Sequence, residues 1–143
     1  MNKIWLVVGL NTYSYDFTEM NTKVSETHEG AVKQFNDLAL QYLRGEKERC
    51  ANKYNVSNNL SFAEYKKIAL DFGDVLDYGY ESTAKNELTL SIRTHLTNKD
   101  GTCDLEEFIL HMYPCDFEKG NFSQLVSLND MVEVVDEFYN SIV

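Results

Sequence analysis

The chain has 143 residues, 23 acidic against 13 basic side chains, a formal net charge of −10, and 43% apolar residues including 8 Phe and 9 Tyr. That length suits a single domain spanning residues 1–143, and that composition supplies enough apolar surface to fold around its own core. The same figures argue against disorder, against a membrane span, which needs about 18 consecutive apolar residues, and against direct nucleic-acid binding, where cations must meet phosphates.

Ile4 to Leu10 is a short run of β-formers and predicts a buried strand. Behind Met1-Asn2-Lys3 it has the outline of a signal peptide. It is too short for one, and Asn11-Thr12-Tyr13 offers no small-residue cleavage site, so the expected location is the cytoplasm of a bacterial host. Asn11 to Asp16 is a polar, tyrosine-bearing turn, and Phe17 to Ser25 returns as a second strand with Met20, Thr22 and Val24 on one face. Thr27 caps a helix whose apolar positions are Ala31, Val32, Phe35, Leu38, Ala39, Tyr42 and Leu43, running into the charged segment Glu46-Lys47-Glu48-Arg49. Asn52 to Asn59 is a loop. Ser61-Phe62-Ala63-Glu64 is a capping box, and Phe62, Tyr65, Ile68, Ala69 and Phe72 form the apolar side of a second helix.

Leu88 to Leu96 alternates apolar and polar residues and predicts a half-buried strand, with Tyr78 to Thr83 as its partner. Asn98-Lys99-Asp100-Gly101 is a turn. Asp104 and Glu107 form a cap-like pair before Leu105, Phe108, Ile109 and Met112, which share helical spacing up to Pro114 and predict a third helix. Ser127 to Ile142 is a fourth, with Leu128, Met131, Val132, Val135, Phe138, Tyr139 and Ile142 in one stripe. The expected fold class is α+β, a small, mostly antiparallel sheet with helices packed on one face.

Charge is uneven along the chain. Residues 101–143 hold nine acidic residues and a single basic one, Lys119, and so carry −8 of the −10. Asp130, Glu133, Asp136 and Glu137 share the polar side of the last predicted helix, with no Lys or Arg at i+4, and Glu106 and Glu107 lie upstream. Such a row is either a solvated face or a docking surface for a basic, nucleic-acid-binding protein, on which it would compete with nucleic acid.

Other chemistry is thinner. Asn98, Asp100, Asp104 and Glu107 match late positions of an EF-hand loop around Gly101, an alternative calcium-responsive reading, but Leu96 stands where the first ligand belongs. Cys50, Cys103 and Cys115 are odd in number and lack CxxC spacing, and Cys103, His111 and Cys115 lack the spacing of a zinc site. No metal, no cofactor and no enzymatic activity is expected, because no nucleophile motif or phosphate loop is present. The tyrosines at 13, 15, 78 and 80 leave a structural or assembly subunit as a further alternative.

The apolar strand Lys3–Leu10, the Tyr/Asp turn Tyr13–Asp16, the return to Ser25 and the helix opening Thr27-His28-Glu29 together resemble the start of short proteins encoded by phages and mobile elements. Inhibitors of bacterial defence, anti-CRISPR proteins among them, are similar in size and acidity. The resemblance implies a protein-binding inhibitor, in some cases a nucleic-acid mimic, and assigns no site residues.

Overall fold

In the computed structural model, residues 3–13, 17–82, 87–116 and 132–143 are described. Two strands, β1 (Lys3–Tyr13) and β2 (Phe17–Ser25), precede α1 (His28–Tyr54) and α2 (Phe62–Asp71). Three strands follow, β3 (Val75–Ser82), β4 (Leu88–Thr97) and β5 (Cys103–Asp116), and then α3 (Val132–Ile142). The sheet is antiparallel throughout, in the order β2-β1-β5-β4-β3. The fold is α+β, as the residue pattern implies.

The caps act where the sequence places them. Thr27 Oγ1 accepts the Gly30 amide at 3.0 Å, and Asn55 ends α1 in the left-handed conformation with φ 53°. Ser61 and Glu64 form a full capping box on α2. One face of the sheet carries Val7, Leu110, Met112, Leu90, Ile92, Leu76 and Tyr78. The helices cover that face with Phe35, Ala39, Leu43, Phe62, Tyr65, Ala69, Val135 and Phe138. Tyr42 stacks flat on Phe108, with ring centroids 3.7 Å apart, and Phe62 meets Tyr78 at 5.0 Å. Each such side chain contributes about 1.5–3 kcal/mol through burial.

The segment expected to be a third helix is instead β5, the central strand. Leu105, Phe108, Ile109 and Met112 fit helical spacing, but the run Phe108–Tyr113, apolar except for the buried His111, fits a strand covered on both faces equally well. Pairing decides it, because β1 and β4 flank the segment and satisfy its backbone on both sides. Pairing with β4 ends at Met112, so among the described residues Pro114 has β1 as its one strand neighbour, a position a strand proline tolerates. Three further differences concern element bounds. β1 runs on through Asn11–Tyr13, expected to be turn; β3 starts at Val75; and α1 continues to Tyr54. Of the helix expected from Ser127, residues 127–131 lie outside the described residues.

Candidate functional site

The helices do not close the whole sheet face. Toward the β2 side, α1 and strands β1, β2 and β5 enclose a cleft of about 560 Å³, a size that takes a small ligand or a long side chain. Two glycines open it. Gly9 lies on the β1 floor among Phe108 and Leu110, and Gly45 on the α1 wall has no atom within 4 Å of where a Cβ would stand.

The wall is a single helical stripe, Leu38, Gln41, Tyr42, Gly45, Glu46 and Arg49, continuing the face that upstream carries Ala31, Phe35 and Ala39. The stripe therefore changes from apolar to polar while still facing the sheet. Glu46 is 4% exposed and forms a two-point ion pair with the Arg49 guanidinium. Burial pushes the Glu46 carboxyl up, Arg49 opposes this, and Glu106 reinforces it. Burial also works against the Arg49 charge, but Glu46 more than restores it and holds that guanidinium above its usual value.

Across the cleft, the Tyr42 hydroxyl donates to Glu106 Oε1 at 2.7 Å. Burial, then the carboxylates of Glu46 and Glu106, raise the Tyr42 hydroxyl well above its ordinary range, so it remains a donor. Glu19 and Asn21 enter from β2, and Asn11 from β1. Asn11 gives its amide hydrogen to Tyr13 at 2.6 Å, while its buried Oδ1 has no hydrogen-bond partner. The cleft thus joins three carboxylates, one guanidinium, an unused acceptor and the stacked rings of Tyr42 and Phe108. Cys50 lies one helical turn beyond Glu46. Burial first and Glu46 second push its thiol up to about 11, so it is a protonated core residue, not a ready nucleophile.

Of the acidic residues singled out from the sequence, the four whose side chains are described do not form one row. Glu106 and Glu107, adjacent on a strand, point to opposite faces: Glu106 lines the cleft, and Glu107 meets Arg93 at 2.6 Å on the other side. Asp136 is committed to α2, accepting the Phe62 and Ala63 amides. Glu137 is exposed on α3. Glu133 lies on α3, with its side chain outside the description, and Asp130 lies outside the described residues. Nor do the four EF-hand positions gather. Asn98 donates to Thr102 Oγ1 and Asp104 Oδ2, both at 3.0 Å, and Asp100 Oδ1 accepts the Thr102 amide at 3.0 Å, bonds that build the β4–β5 hairpin. Two strands flank that hairpin where an EF-hand has two helices. Among the described residues no group of three or more His, Cys, Asp or Glu could hold a metal ion.

The sequence hides the cleft because Glu46 and Arg49 stand in a segment of four consecutive charged residues. Their signal is phase. Gly45, Glu46 and Arg49 fall three, four and seven residues after Tyr42, on the helix side that faces the sheet.

No protein-family model, curated protein or solved structure matches this chain. No helix among the described residues is long and apolar enough to cross a membrane.

Proposed function

We propose that this protein works by binding another protein, and that the cleft receives a basic side chain from it. The observation that carries this reading is the gathering of Glu19, Glu46 and Glu106 around the single cation Arg49, in a chain of net charge −10. A guanidinium or ammonium group entering the cleft would find carboxylates to pair with, the free Oδ1 of Asn11 to accept from it, and an aromatic face beside it. Leu38, Phe108 and Leu110 suit the aliphatic stem of such a side chain.

Surfaces rich in Arg and Lys are those built to hold phosphate backbones. A nucleic-acid-handling protein is therefore the partner class that the charge fits, and occupation of its basic groups would compete with nucleic acid. An inhibitor of the anti-defence kind is the specific form we carry forward. The protein's long-range negative field would speed the encounter, and the cleft would supply the specific contact.

Affinity capture from bacterial lysate tests this, with nuclease present, at low and high salt, using the wild type beside Glu106→Gln and Gly45→Phe. The expected result is a basic nucleic-acid-binding protein held by the wild type at low salt, released by salt, and lost with both variants. Capture that both variants leave unchanged would overturn the role of the cleft.

A further inference from the structure

The sheet order leaves β2 as an edge strand, paired with β1 alone over an unbroken nine-residue register from Phe17 to Ser25. Among the described residues, no strand lies beside its outer backbone groups. Edges of this kind are protected by proline, a bulge, a very short strand or charged side chains. β2 has no proline or bulge and is nine residues long, so its only such protection is the pair Glu19 and Lys23, which opposes a partner edge only where like charges meet. Residues 19–24 are all exposed, and on the face away from the helices Met20 is 68% exposed and Val24 54%. Among the described residues, Glu19 and Lys23 have no ion-pair partner within their own chain.

We propose that β2 is a dimerisation strand, pairing antiparallel with β2 of a second copy about a two-fold axis at Asn21. A strand that pairs with itself must be self-complementary, and register tests this directly. With Asn21 opposite Asn21, Glu19 of each copy stands opposite Lys23 of the other, so two opposite-charge pairs form at once. The same register sets each Met20 beside a Thr22. Other antiparallel registers that keep each side chain on its own face do worse. Centring on Met20 or Thr22 leaves both charges opposite other residues, centring on Glu19 sets carboxylate against carboxylate, and centring on Lys23 sets ammonium against ammonium. Opposite-charge cross-strand pairs stabilise a sheet and like charges directly opposite destabilise it, so the sequence selects one register. The product is a continuous sheet of two five-stranded halves, with the exposed Met20 and Val24 side chains of both copies brought onto one shared strip. The second copy's Lys23 would also arrive beside Glu19, at the rim of the cation-binding cleft. This inference is argued from the edge strand alone; the dimer would pair Glu19 and leave Glu46 and Glu106 to the cleft's ligand.

Sedimentation velocity over a concentration series tests it, on the wild type, on Lys23→Glu, and on the charge swap Glu19→Lys with Lys23→Glu. Circular dichroism on each confirms that the fold is intact. The expected result is a concentration-dependent dimer for the wild type, a dissociation constant at least about tenfold higher for Lys23→Glu, and a dimer restored by the swap. A wild type that stays monomeric throughout, or a dimer that Lys23→Glu leaves unchanged, would overturn the proposal. A swap that fails to restore a dimer lost in Lys23→Glu would overturn the Asn21-centred register.

Discussion

Asp136 on α3 and Phe62 at the start of α2 are joined by a 2.7 Å hydrogen bond, carboxylate Oδ1 to backbone amide. The other oxygen accepts the Ala63 amide at 3.2 Å, and Ser61 accepts the Glu64 amide at 3.1 Å. The first three amides of α2 are thus satisfied, two of them by a different helix. Lys47 on α1 completes the junction, its ammonium 4.9 Å from the Phe62 ring and 4.2 Å from Tyr139. A carboxylate that looks from sequence like part of a docking row is a tertiary cap. Asp136→Ala is expected to cost about 1–2 kcal/mol, read as a lower urea midpoint with an unchanged slope.

Asp74 is the second polar brace. It is 1% exposed and accepts the Thr97 amide at 2.7 Å and the Tyr54 hydroxyl at 2.6 Å, with the Lys53 ammonium at 2.9 Å. Burial pushes its carboxyl up, but the three partners together hold it below the usual carboxylate range. Asp74→Ala is expected to cost about 3 kcal/mol or more, because Lys53 and Tyr54 lose their partner. A depressed folded value means that this stability is present above the unfolded value of about 3.9 and is lost as pH falls through the folded one. Thermal melts of wild type and Asp74→Asn should therefore converge as the pH drops below about 4. A constant gap would contradict the assignment.

Glu46 should behave in the opposite sense. Its folded carboxyl is raised, chiefly by burial, so its contribution is greatest below the unfolded value of about 4.3 and declines as pH rises through the folded value. Relative to Glu46→Gln, the wild type is expected to lose stability between about pH 4 and neutrality. Melts over that range check the sign.

Gly45 separates the fold from the cleft. An added Cβ there meets nothing, and glycine within a helix costs about 0.5–1 kcal/mol against alanine. Gly45→Ala is expected to raise stability by about that amount in a urea titration. Gly45→Phe should fill the cleft and abolish uptake of a basic side chain while leaving the far-ultraviolet spectrum unchanged.

The parts legible in sequence were those set by local chemistry. Thr27, the Ser61–Glu64 box and the alternation from Leu88 to Leu96 each form the element expected of them. β5 is not legible, because Phe108–Tyr113 has apolar residues on both faces, with His111 the one exception, and only its neighbours β1 and β4 choose between the two periods. The cleft lay out of reach for a related reason. Glu106 comes 60 residues after Glu46, and antiparallel pairing of β5 with β1 is what carries it beneath α1. Charge counts along the chain see neither event, and so do not tell that Glu106 lines the cleft while Glu107 and Asp136 are tied to other elements.

The most direct test of the central claim is fluorescence anisotropy with an arginine-rich peptide and its citrulline counterpart, which keeps shape and loses charge. Wild type, Glu106→Gln and Glu137→Gln would be compared, the two variants removing one negative charge each. The wild type is expected to bind the arginine peptide at least about tenfold more tightly than the citrulline peptide, the scale of a charge-assisted contact. Glu106→Gln should remove most of that preference and Glu137→Gln should leave it nearly intact. Equal affinity for the two peptides, or equal losses from the two variants, would contradict a cation site in the cleft.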